Sequence, residues 1–402
     1  MGILKTLFIL ILIISFPLAE IARVNFNNGI SFTLNDLFVA GILIVWLFLL
    51  ITKKIKFTGK LKKPIMVFVF VGVISLIVNL FNFSLQQISI GSLYLVRWFM
   101  YSTVYFSAVS LNDDFKKKLP TLMLISGVII ASLGYFQYFL YPSLRNLYYL
   151  GWDEHLYRLF SSFLDPNFAG IFLSLVFILN LSIFVNSWRN KGYYRLIYGL
   201  FLPLIMLAVF LTYSRSAIVI LLISTVVFLV LSNLRKAIIV FVVIMLLVII
   251  ASPRAFQTEG TNFFREASVS ARLESMQKGI EIFSRNPILG IGFNTYRYEQ
   301  FKLGFLNNKN WQTTHAGAGP DNSFLLILST VGVVGFIAYI YLLYSMFKNS
   351  LYSIKKKTNK SASIVFFSSL TGVIASSLFI NSLFYPFIMV WLWLLAGVTE
   401  SS

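Results

Sequence analysis

The sequence predicts an all-α fold, a polytopic integral-membrane helical bundle of about twelve transmembrane helices with one partly helical extracytoplasmic loop. Three observations predict it. Of 402 residues 58% are hydrophobic and only 12% charged, where soluble domains carry about a quarter charged. Apolar stretches of about 17 to 22 residues recur from Leu4 to Val398, each long enough to cross about 30 Å of hydrocarbon at 1.5 Å per residue. The ten-residue alternation of a transmembrane barrel is missing.

Taken in order, the spans read 4–19, 33–52, 64–82, 91–111, 119–141, 166–186, 194–212, 215–232, 237–252, 322–347, 361–380 and 383–399. Lys5 before an apolar run looks like the start of a signal peptide, but the run continues to Pro17 and Leu18 with no Ala-x-Ala cleavage site, so it reads as the first span. Alternate connections are short and basic: Lys53 to Lys63, Lys116 to Lys118, Arg189 to Arg195, Arg235 with Lys236, and Lys348 to Lys360. With Lys5 that side holds 20 basic residues against Asp113, Asp114 and Glu400, while the other side holds 12 against 11 acids and Arg97 lies inside the fourth span. The positive-inside rule then puts both termini in the cytoplasm and the long 253–320 segment outside. The net charge of +19 is a topology signal and does not imply nucleic acid. The chain, 1–402, reads as one membrane domain with one extracytoplasmic loop.

Several chemistries are excluded or unsupported. There is no cysteine, hence no disulfide, thiolate nucleophile or Cys-ligated metal. The two histidines, His155 and His315, are too few for a multi-histidine metal site. Walker and Rossmann patterns are absent, so no nucleotide, cofactor or metal is expected and the energy of any reaction comes from the substrate.

The outer side holds the candidate site. Residues 196–233 are apolar except at Thr212-Tyr213-Ser214-Arg215-Ser216, so two helices turn there and Arg215 sits near the outer headgroups, where a permanent cation can meet phosphate. In the outer loop, 263–285 has helical periodicity through Leu273, Met276, Ile280 and Phe283. Glu274 with Lys278 and Glu281 with Arg285 form i,i+4 pairs, whereas Arg265 and Arg272 share another face with Ser268, Ser275 and Gly279, a face suited to a bulky anion. Arg158 is a further candidate cation. Leu164-Asp165-Pro166-Asn167 opens the sixth span as cap and N1 proline. His315 and Asp321 are the candidate general bases: an imidazole is near its working pKa, which favours His315, while Asp321 needs its pKa raised and also reads as the cap of the next span.

These residues resemble the O-antigen ligase and polymerase family of bacterial membrane glycosyltransferases. The resemblance lies in residues 158–345: the Thr-Tyr-Ser-Arg-Ser turn at 212–216, Arg272-Leu273 leading to Asn286-Pro287-Ile288-Leu289-Gly290-Ile291-Gly292, Asp321-Asn322-Ser323-Phe324-Leu325 with Gly332 and Gly335, and Phe163 to Asn167. It implies a GT-C-like bundle in the bacterial inner membrane that transfers a glycan from an undecaprenyl-pyrophosphate donor to an acceptor hydroxyl on a glycan or lipid, in surface polysaccharide synthesis, by an inverting, metal-independent reaction. It also implies that Arg215 and Arg272 hold the pyrophosphate. The ligase pattern has His-Asn where this chain has Asp321-Asn322, which resembles polymerase-type members. The alternative class is a lipid-linked oligosaccharide flippase or other secondary transporter, which would place broken helices and charges near the bilayer midplane.

Overall fold

The structure is a computed structural model that describes residues 1–26, 30–150, 153–251, 261, 267–306, 311 and 315–400. Its helices follow the apolar segments. The first is α1 (Gly2–Leu10), which runs through a π-helical turn at Ile11–Ser15 into α2 (Phe16–Leu18). Strands β1 (Arg23–Asn25) and β2 (Ser31–Thr33) pair antiparallel, Val24 opposite Phe32, as the one addition to an otherwise helical chain among the described residues. Then come α3 (Leu34–Ile51), α4 (Lys62–Val78), α5 (Leu85–Val109), α6 (Asp113–Leu140), α7 (Pro166–Arg189), α8 (Arg195–Leu211), α9 (Arg215–Leu231) and α10 (Lys236–Ala251). The 253–320 segment supplies α11 (Ala267–Arg285) and α12 (Tyr296–Lys302). The chain closes with α13 (Ser323–Lys356), α14 (Lys360–Ser376) and α15 (Pro386–Thr399).

Among the described residues five helical segments are each long and apolar enough to cross a membrane: 2–22, 34–51, 113–140, 166–189 and 323–356. Shorter apolar helices accompany them, α8, α9, α14 and α15 among them. The outward rows are apolar too, with Leu37, Ile44 and Phe48 on α3 and Leu196, Leu200 and Leu204 on α8 exposed, a surface that water does not tolerate on this scale and lipid does. The protein is an all-α integral membrane protein.

Packing explains which helix is central. Every residue of α15 from Phe387 to Thr399 is buried, as expected for a helix apolar on all sides. It packs on α5 and α14, while α7 packs on α8 and α9, and α4, α11 and α14 on α13. Phe172 meets Trp391 and Phe16 edge to face, with ring centroids 5.1 and 5.4 Å apart. Arg97, the charge inside the fourth predicted span, forks onto Asp36 at 2.6 and 2.7 Å, and Tyr101 donates to the same carboxylate at 2.7 Å. Asp36 also accepts from the Thr33 amide at 2.8 Å, closing the box that starts α3, so this buried charge pair is fully hydrogen-bonded.

The outer loop is pinned to the bundle at a break in α13. Gly332 adopts φ 68°, ψ −171° and splits the helix. The amides of Ile291 and Gly292 donate to the carbonyls of Ser329 and Thr330 at 3.1 and 2.9 Å, and Val333 N donates to Pro287 O at 2.8 Å. Ser75 Oγ and Asn79 Nδ2 on α4 add bonds to the carbonyls of Leu289 and Gly290 at 2.7 and 2.9 Å. The Gly290-Ile291-Gly292 turn of the sequence is thus a backbone graft into a helix break: a Cβ on Gly332 would stand 2.2 Å from Ile288 O, and one on Gly290 2.4 Å from the Thr330 carbonyl carbon.

The graft makes a prediction. Gly332→Ala adds a left-handed-φ penalty to a clash with backbone that cannot move aside, and should cost about 2 kcal/mol or more. Gly41→Ala meets only the flexible Leu7 side chain, at 3.3 Å, and should unfold near the wild-type temperature. Thermal unfolding of both purified variants checks this, and equal midpoints would show that the break is not a constraint.

Candidate functional site

The turn that carries Arg215 is held from below. It is three residues long, between Leu211 and Arg215, and Tyr213 is buried at φ 49°. Ser214 caps α9 by accepting from Ala217 N at 3.4 Å, and it donates to Asn167 Oδ1 at 3.0 Å. Asp165 caps α7, accepting from Asn167 N at 2.6 Å and Phe168 N at 3.3 Å, the arrangement expected of Asp followed by an N1 proline. The α8–α9 turn and the start of α7 are therefore one hydrogen-bonded unit.

Arg158 belongs to that unit from the inside. It is 5% exposed, and its Nε donates to Thr212 O at 2.9 Å with Nη2 near Tyr213 O at 3.5 Å. The sequence offered it as a phosphate ligand. The structure gives its guanidinium to the backbone under the turn, where it supports Arg215.

The helix α11 approaches from the loop. Its ion pairs are those expected, Lys278 to Glu274 at 2.6 Å and Arg285 to Glu281 at 3.1 Å. Its apolar stripe is not the face that packs, since Leu273 and Ile280 are each 55% exposed. The packed face runs through Ser275, Gly279 and Ile282. A Cβ on Gly279 would come 2.6 Å from Leu325 Cδ2, and Ser329 Oγ donates to Gly279 O at 3.0 Å. Small residues win here because the two backbones approach closely, and this turns the neighbouring Arg272 inward.

Arg272 meets three charges. Burial pushes its guanidinium below the ordinary value; Asp321 and Asp165 pull it back up and Arg215 pushes it down. Residues from α7, α9, α11 and the entry to α13 thus converge on one constellation: Asp165, Arg215, Arg272 and Asp321. Two arginines share it with two carboxylates, one of which already caps a helix.

Asp321 is not the cap of α13. That role belongs to Asn322, whose Oδ1 accepts from Phe324 N and Leu325 N at 2.9 and 3.0 Å. Asp321 is left half-buried with its amide donating to Ser275 Oγ at 3.2 Å. Burial raises its pKa above the ordinary 3.8, Arg272 lowers it and Asp165 raises it, with a net rise. The direction of this shift is the one that a general base needs. His315 begins a short 3-10 turn, His315–Ala318, but its side chain lies outside the described part of the chain, as does the whole of Arg265. His155 is half-buried before Arg158, its backbone at φ 46°. Among the described residues no cluster of His, Cys, Asp and Glu could hold a metal.

Tyr296 is a further candidate that the sequence reading missed. It is 1% exposed, its hydroxyl has no hydrogen-bond partner among the described residues, and burial, with Asp321 nearby, raises its pKa. Its only signal was an aromatic position soon after the Gly290-Ile291-Gly292 turn.

The structure is thus an apolar helical bundle with an arginine and carboxylate cluster at the joint between bundle and loop. Residues 198–340 match the family model of O-antigen ligase. The match spans α8 to the first half of α13 and contains Arg215, Arg272, His315 and Asp321. This region is similar to the O-antigen ligase domain, a likeness that supports a membrane glycosyltransferase-like role in polysaccharide biosynthesis. No curated protein matches the chain.

The cap assignment separates neighbouring residues. Asn322→Ala should cost about 1 kcal/mol of stability, whereas Asp321→Ala should leave the α13 cap in place. Unfolding midpoints in the reverse order would return the capping role to Asp321.

Proposed function

We propose that the protein transfers a glycan from an undecaprenyl-pyrophosphate donor to an acceptor hydroxyl on a glycan or lipid at the outer face of the bacterial inner membrane. The chain crosses the membrane about twelve times with both termini in the cytoplasm, the reading that the basic loops support. The observation that carries the proposal is the convergence of Arg272 on Arg215, Asp321 and Asp165. Planar guanidinium groups bind phosphate oxygens through paired hydrogen bonds, and a partly dehydrated carboxylate beside them can take a proton.

In this reading the acceptor hydroxyl gives its proton to Asp321 as its oxygen bonds to the anomeric carbon. The carbon-oxygen bond to the pyrophosphate breaks on the opposite face, which inverts the configuration. The leaving oxygen takes the electron pair, and Arg215 and Arg272 stabilise the charge that develops there. The chain's own groups supply the charge stabilisation and the base, with no role for nucleotide or metal.

A transporter reading gains one observation, the broken helix at Gly332. The backbone groups freed by that break are, however, satisfied by residues 287–292, and the charged cluster lies at the ends of α7, α9 and α11. Transfer is therefore preferred over transport.

Purified protein supplied with a lipid-pyrophosphate glycan and acceptor should release undecaprenyl pyrophosphate. Release should fall by about 10²-fold in Arg272→Ala and be impaired in Arg215→Lys as well as Arg215→Ala, since an ammonium cannot replace a bidentate fork. Unmodified lipid appearing on the far leaflet, or wild-type release in the Ala variants, would remove the transferase reading or the arginines from it.

The base has its own signature. A buried carboxylate becomes a proton acceptor only as pH rises through its raised pKa, so transfer should climb with pH along a limb above the ordinary aspartate value of 3.8. Asp321→Asn should erase that limb and lower single-turnover transfer by about 10²-fold or more. An unchanged limb in Asp321→Asn, with loss on His315→Ala, would move the base to His315.

A further inference from the structure

A second group of charges lies near a cavity beside α13. The cavity, about 210 Å³, is lined by Tyr94, Arg97, Trp98, Asn294, Ala318 and Asn381 among others. That is about seven water volumes, the scale of one sugar ring. Two faces of the first turns of α13 divide the work: Leu325 and Ser329 meet Gly279 of α11, while Leu326, Ile327 and Thr330 line the cavity. Asn381 accepts from Ser323 Oγ at 3.1 Å, two residues from Asp321. The cavity therefore adjoins the chain segment that carries the candidate base.

One arginine lines it, and two more lie near enough to one another to interact. Arg97 lines the cavity, held by Asp36 at 2.6 Å, with its guanidinium carbon 5.6 Å from the centre of the Tyr94 ring. Arg23 pairs with Glu20 at 3.3 Å. Arg297 is half-buried on α12, its Nη1 donating to Trp311 O at 2.9 Å, and its guanidinium carbon lies 3.0 Å from where a Cβ on Gly317 would stand, next to the lining residue Ala318. Burial lowers its pKa, Tyr94 and Tyr298 act against this, and the charge of Arg23 lowers it further. Among the described residues the group holds three cations against two carboxylates, Glu20 and Asp36, and Arg297 has no carboxylate within salt-bridge distance. Gathering like charges costs free energy unless an anion joins them.

We propose that this cavity is a subsite for an anionic sugar, one bearing a carboxylate or a phosphate, and that it holds the acceptor glycan. The ring packs on Tyr94 and Trp98, its hydroxyls meet Asn294 and Asn381, and its anion meets Arg297. Aromatic walls with a few placed polar groups are the usual make-up of a small-ligand site. The word acceptor rests on the transferase reading; the binding chemistry does not.

The test is a titration of the detergent-purified full chain with cellobiose, digalacturonic acid and glucose 6-phosphate, followed by tryptophan fluorescence. At low salt at least one anionic probe should bind about tenfold or more tightly than cellobiose, and the margin should shrink as salt is added. The better anionic probe tells carboxylate from phosphate. Arg297→Gln should abolish the margin and Arg297→Lys restore part of it, while Asn294→Ala should weaken all three probes alike. Equal binding of the three, a margin that survives Arg297→Gln in folded protein, or no binding at millimolar concentration overturns the proposal. Because the titration needs no turnover, it is decided independently of undecaprenyl-pyrophosphate release.

Discussion

The geometry of the site depends on one backbone interaction, the docking of residues 287–292 into the break of α13 at Gly332. A helix inside a bundle ordinarily satisfies its own amides and carbonyls, and a break leaves several without partners, at a cost of a few kcal/mol if they stay buried. Here the loop supplies the partners: Ile291 and Gly292 bond to Ser329 and Thr330, and Val333 bonds to Pro287. The loop is thereby registered on the bundle residue by residue. The helix before the graft carries Arg272, the helix after it carries Tyr296, and the helix that receives it begins two residues beyond Asp321. Three candidate site residues distant in sequence are placed by one set of backbone bonds.

The electrostatics of the constellation follow from how its members are shared out. Asp165 is committed to the α7 amides and Arg158 to the carbonyls under the α8–α9 turn. Those two fix the frame. Arg272 and Asp321 carry no comparable structural duty; each is half-buried, and each is displaced from its ordinary pKa first by burial. Groups kept partly dehydrated without a capping or bracing task are where binding and proton transfer are most easily placed. The same division applies at the neighbouring cavity, where Asp36 braces Arg97 and caps α3 while Arg297 rests on a single backbone carbonyl.

Much of the helical fold was legible because hydrophobic length is a long-range, redundant signal; the helices from α3 to α10 start and stop within six residues of the expected spans. Arg215 and Arg272 stand out in the sequence as candidates, since Arg215 interrupts an apolar run and Arg272 lacks an i,i+4 carboxylate. What the sequence could not show was close backbone approach. Leu273 and Ile280 have the spacing of a packed stripe, yet Ser275 and Gly279 pack, because α11 docks on α13 at a distance only small residues allow. The cap of α13 was misread by one residue for a local reason: Asp and Asn cap equally well, and only the bonds from Asn322 to Phe324 and Leu325 decide between them. The Arg97 to Asp36 pair was invisible because 61 residues separate its members.

That one-residue shift changes the chemistry. A capping aspartate accepts two amide hydrogen bonds in its charged form, which lowers its pKa and makes it a poor base near neutral pH. Moving the cap to Asn322 releases Asp321 from those bonds and leaves burial as the largest influence on it, with Arg272 opposing and Asp165 reinforcing. Arg272 then has two functions. It lies close enough to lower the pKa of Asp321, and in the proposed reaction a pyrophosphate drawing on the same guanidinium would weaken that stabilisation, so donor binding would raise the proton affinity of the carboxylate when an acceptor hydroxyl is to be deprotonated. A histidine in the same place would respond in the same direction but would start as a neutral base, gaining less from the shared arginine. In the proposed reaction the Asp-Asn sequence at 321–322 would therefore be sufficient on physical grounds: asparagine holds the helix, and aspartate would be left for the proton.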